Sequence, residues 1–122
     1  MSVEMEIHVD KVPALREKLI WLDEAMKRKV HDAMLFEAEA MKNIARERCP
    51  VRTGRLRDSI YARVQDWMLQ LGATAPYAIY QELGTRHIRP RAFLKNAVWL
   101  RMQSLVNRIN RAIGEAVREA SS

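Results

Sequence analysis

Residues 60–72 read IYARVQDWMLQLG, and this stretch decides the fold. Ile60, Ala62 and Val64 alternate with polar neighbours, and Met68, Leu69 and Leu71 supply the apolar side of a second run. That pattern predicts two strands joined by a tight turn near Gln65-Asp66, with Trp67 at the turn edge. Upstream, residues 3–9 (VEMEIHV) alternate with period two and predict a third, half-buried strand whose Glu4, Glu6 and His8 point to solvent. Between them, Leu15, Leu19, Leu22, Met26, Val30, Met34 and Met41 recur at three- and four-residue spacing. This is one face of a long helix, capped by Asp10, with Pro13 in its first turn. Glu37 interrupts the stripe. The helix ends at Cys49-Pro50, because a residue before proline avoids the helical region. At 1.5 Å per residue such a helix would be about 55 Å long, more than a domain of this size spans. It therefore either breaks, around residues 28–32, or projects and pairs with another chain; partial projection is the favoured expectation.

Downstream of Pro50 the chain predicts a loop and one helical turn capped by Thr53. After the hairpin, Pro76 opens a short helix over 76–83, and Gly84 lies just past its end. A basic loop follows at 85–91. A second long helix then runs from about 91 to 119, with Leu94, Val98, Met102, Leu105, Ile109 and Ile113 on one face. The expected fold class is α+β, with two long helices on a small antiparallel sheet, a short helix and a basic loop. Residues 1–122 form a single domain, frayed at 120–122.

Composition bounds the function. The 122 residues carry a formal net charge of +6, unevenly spread. Residues 1–45 hold seven basic and nine acidic side chains; residues 46–101 hold eleven basic and four acidic. Ten of those eleven bases are arginine, so the middle of the chain seeks phosphate or partner carboxylates. No apolar run approaches a membrane span. The N-terminal ten residues, MSVEMEIHVD, do not fit a signal peptide. A single cysteine, Cys49, precludes an internal disulfide.

Candidate chemistry is sparse. Cys49 has Arg46, Arg48 and Arg52 nearby, which could lower its thiol pKa, but a buried structural cysteine is the commoner reading. His8, His31 and His87 show no metal-ligand spacing. Asp58 lies between arginines, and Glu82 suits a bond to backbone donors or an arginine better than acid–base work. Thr53-Gly54-Arg55 and Gly84-Thr85-Arg86 each have one glycine and match no nucleotide-binding loop. The arginine clusters hold the most information: Arg52, Arg55, Arg86, Arg89 and Arg91 are candidates for a protein interface or for unspecific contact with DNA.

Three strings then combine. CPVRTGRLRDSI at 49–60, APYAIYQELGT at 75–85 and RPRAFLKNA at 89–97 together resemble the small neck, or tail-completion, proteins of tailed bacteriophages. Leu83 stands where that family usually has phenylalanine, and Ala92 where it has proline. Thr53, Gly54, Leu56, Arg57, Ser59, Tyr77, Tyr80, Glu82, Gly84, Thr85, Phe93 and Leu94 fall on the family pattern as fold and assembly determinants. The resemblance implies a structural virion protein, not an enzyme, with no cofactor and no bound metal. It implies a homo-oligomeric ring, hexameric in the family, at the head–tail junction. Its partners would be the head connector and the tail tube or terminator proteins, with unspecific contact to packaged DNA and none to membrane. It would pass through the host cytoplasm during assembly. A standalone, sequence-independent nucleic-acid-binding module is the alternative that the basic middle leaves open, and a thiol enzyme using Cys49 is a third.

Overall fold

A computed structural model describes residues 2–50 and 54–121. The architecture is α+β. Strand β1 (Val3–His8) leads through a 3-10 turn (Val9–Lys11) to a one-turn helix α1 (Arg16–Leu19), and then to α2 (Glu24–Arg48). A single turn α3 (Arg55–Asp58) precedes the hairpin β2 (Ile60–Gln65) and β3 (Met68–Ala73). Helix α4 (Ala78–Leu83) and the long α5 (Phe93–Ser121) complete the chain. Helix α5 thus continues two residues into the segment expected to fray.

The three strands form one antiparallel sheet in the order β1-β3-β2. Register puts Met5, Leu71 and Ala62 side by side, and likewise Ile7, Leu69 and Val64. Period-two alternation therefore gives an apolar inner face, which α2 covers, and a polar outer face. The hairpin turns at Asp66, whose φ of 52° a short polar side chain tolerates. On the outer face Tyr61 donates a 2.6 Å hydrogen bond across the sheet to Glu4, and the Arg63 guanidinium lies 4.6 Å from the Tyr61 ring centre. The ring reaches Glu4 only because Gly72 separates them. A Cβ on Gly72 would stand 2.5 Å from the Tyr61 hydroxyl and 2.8 Å from the Val3 carbonyl. Gly72→Ala is expected to displace Tyr61, break its bond to Glu4 and cost about 1–2 kcal/mol in a denaturant titration. Stability equal to wild type would contradict this close approach.

The first long helix breaks, but not where the sequence suggested. The interruption lies at Ile20–Asp23, ahead of residues 28–32, and α2 does not project. Asp23 takes an extended conformation and its carboxylate accepts the Met26 amide at 2.9 Å, restarting the helix. The bend lets Leu15, Leu19 and Leu22 all stay buried in the core that α2 joins. Asp10 is not the cap of the long helix: it sits inside the 3-10 turn, and α1 starts at Arg16 behind Leu15 with no side-chain cap. At the other end Cys49 leaves the helix with ψ 152°, as a residue before proline should. Pro76 precedes α4 by two residues instead of opening it.

Helix α5 packs along α2, and the contact is centred on Glu37, which is fully buried. Arg101 donates to both carboxylate oxygens at 2.9 Å, Ser104 donates at 2.8 Å and Arg108 at 3.0 Å. Arg108 also stacks its guanidinium 3.8 Å from the Phe36 ring centre. The residue that interrupts the apolar stripe is thus the polar centre of the helix pair.

Candidate functional site

The first two sequence strings line one groove beside the C-terminal end of α2, and Glu82 ties the third string to the second. Gly54, at φ 77°, opens α3, and Leu56 is buried. Ser59 closes the turn by donating from its hydroxyl to the Leu56 carbonyl at 2.8 Å. Arg57 is exposed beside Asp58. Arg52 and Thr53, including its expected capping role, lie outside the described residues.

Glu82 ties the second string to the third. Its side chain is buried, and its two oxygens accept the Leu94 amide at 2.8 Å and the Lys95 amide at 3.1 Å. These are first-turn donors of α5 that the helix itself cannot satisfy, and a carboxylate there also complements the helix dipole. Its own carbonyl accepts the Ala92 amide, and the Gln81 carbonyl accepts the Arg91 amide. Phe93 and Leu94 are wholly buried just behind this clamp. Ala92 sits at φ 46°. Proline, fixed near −65°, cannot adopt that value.

Between the clamp and α3 lies a groove of about 630 Å³, lined by Pro50, Leu56, Tyr77, Tyr80, Thr85 and Ile88 among others. Arg55 and Gln81 add polar atoms to its wall. Tyr77 is half-buried and Tyr80 is 46% exposed. The loop from Gly84 to Arg91 forms one rim. Thr85 organises it: its hydroxyl accepts the His87 and Ile88 amides at 3.2 and 3.1 Å, and its amide donates to the Ile88 carbonyl at 2.8 Å. Arg86, Arg89 and Arg91 are exposed along this rim.

Glu82 and Cys49 are the carboxylate and the thiol that the sequence raised as candidate chemical groups in this region. The Glu82 carboxylate is occupied by backbone amides. Burial pushes the Cys49 thiol up from its ordinary value, outweighing the pull of Arg57 and Arg46, so the reactive thiolate is disfavoured. Among the described residues no cluster of His, Cys, Asp and Glu could hold a metal ion. Among the same residues no helix is long and apolar enough to cross a membrane. Sequence reasoning did not foresee the Glu37 cluster, whose one sequence signal is a charge at a core position of the stripe. It also did not foresee that Ile20 and Trp21 stand out at the α1–α2 corner, 73% and 82% exposed. No family model, curated protein or solved structure matches this chain.

Proposed function

We propose that this chain is a structural protein of the tailed-bacteriophage neck, completing the tail and joining it to the head connector as one subunit of a ring. The observation that supports this best is that the first and second strings line one groove, while Glu82 clamps the third string to the second beside it. A ring subunit also needs two unlike faces. An acid-rich first third and an arginine-rich middle supply opposite charge for that purpose. The decisive experiment deletes the gene from the phage or prophage that encodes it and images the particles. Heads and tails that fail to join, restored by the wild-type gene, are the expected result; fully joined, infectious particles without it would refute the reading.

The exposed rim gives a second test. Arg86→Glu together with Arg89→Glu should leave circular dichroism and melting unchanged, because neither side chain is buried, yet reduce particle assembly at least tenfold. Infectious titres equal to wild type would remove the rim from the assembly surface. The exposed arginines also favour the nucleic-acid-binding alternative. Tight duplex binding by the isolated monomer, with a steep loss of affinity on adding salt, would distinguish that reading.

A further inference from the structure

We propose that the groove at the C-terminal end of α2 receives the Ile20–Trp21 corner of a second copy of this chain. The inference rests on the ring proposed above and names its contact. Trp21 and Ile20 project at a helix corner with most of their apolar surface in water. Exposed tryptophan of this kind is a common anchor of protein interfaces. The groove is lined by Tyr77, Tyr80, Leu56 and Ile88, and its volume of about 630 Å³ lies in the range that encloses compact ligands.

Geometry excludes the chain's own corner. Trp21 lies just before α2 and Pro50 just after it, and the 25 residues between them span about 37 Å. A knob at one end and a socket at the other generate a heterologous, head-to-tail contact, which closes into a ring when the rotation permits. Charge agrees in sign. Residues 16–24 carry Glu17, Asp23 and Glu24 against Arg16 and Lys18, a net of −1, and Lys18 is held at 2.8 Å by Asn110. The rim from 84 to 91 carries Arg86, Arg89 and Arg91, a net of +3. Trp99, 81% exposed on α5, is the rival knob. Its neighbours Lys95 and Arg101 share the sign of the rim, so it suits the socket less well.

The test uses full-length protein in which Cys49→Ala removes the native thiol and Ile20→Cys is combined with Ile88→Cys, leaving Trp21 in place, mildly oxidised at increasing concentration and run on a non-reducing gel. Each single-cysteine variant serves as control and can give at most disulfide dimers. Head-to-tail docking predicts that the double variant forms a reducible ladder of three or more copies. Light scattering on Trp21→Ala should show the concentration needed for association raised at least tenfold, with melting unchanged, while Trp99→Ala associates as wild type does. A double variant that stops at dimers, or Trp21→Ala assembling like wild type, overturns this contact. Either failure leaves the neck reading to the gene-deletion experiment, which does not depend on which surfaces meet.

Discussion

Replacing Glu37 by alanine is expected to cost about 3 kcal/mol of folding stability, read as a lower urea midpoint at unchanged slope. The carboxylate has no exposure and satisfies two guanidinium groups and a hydroxyl. Removing one member of a buried ionic cluster typically costs roughly 3–5 kcal/mol, because the remaining charges stay behind without compensation. Here the lower end applies. The Arg101 and Arg108 side chains are 28% and 33% exposed, so water recovers part of their solvation once Glu37 is gone. Glu37→Gln keeps the shape and loses the charge, and should cost less than alanine.

The same cluster fixes a pH dependence. Burial by itself raises the Glu37 pKa, but hydrogen bonds from Arg101, Ser104 and Arg108 outweigh it, and the group ends below its ordinary value. A carboxylate depressed in the folded state binds its proton more readily when the chain unfolds. Its contribution is therefore complete above the unfolded value, about 4.3, and is lost as pH falls from there through the folded value. The stability difference between wild type and Glu37→Gln should be constant above about pH 5 and shrink below about pH 4. A difference that stays constant down to pH 3, or an alanine variant within about 0.5 kcal/mol of wild type, would mean that α2 and α5 are held by apolar packing alone.

Glu37 also shows where sequence reading stops. The stripe on α2 identified the helix, its buried face and its end at Pro50, because those depend on neighbours within one turn. A charge on that stripe reads as an interruption until its partners are known. They lie 64 to 71 residues away, at three- and four-residue spacing on α5. The corner at Ile20–Asp23 failed for a different reason. Leu15, Leu19, Leu22 and Met26 keep helical spacing straight through the break, so periodicity hides it, while Asp23-Glu24 held the local signal of a new helix start. Glu82 was legible as a residue bonding backbone donors, though not as the cap of a helix beginning eleven residues later. The sheet was the most legible part, because a strand whose one face is buried declares both its type and its register.

Gly84 carries the other large effect, and for a reason that differs from the left-handed cap expected of a glycine after a helix. Its φ of 77° is positive, but its ψ of 174° is extended. That region is accessible essentially to glycine alone, and a side chain forced into it costs of order 1–3 kcal/mol before any clash. Contacts then add to the cost. A Cβ would lie 2.8 Å from the Ile88 carbonyl and equally close to two carbons of the Pro90 ring. The Ile88 carbonyl is the acceptor for Thr85, so yielding means opening the turn that shapes the arginine rim. Gly84→Val is accordingly expected to lower the melting temperature by on the order of 10 °C and to abolish head-to-tail association. Gly84→Asn separates the two geometries. Asparagine tolerates the left-handed region and would rescue an ordinary helix cap, but it gains nothing at ψ 174° and keeps the same Cβ clash. It should therefore be nearly as damaging as valine. An asparagine variant melting with wild type would show that the loop relaxes to a left-handed cap and that its arginines are not held in place by Gly84.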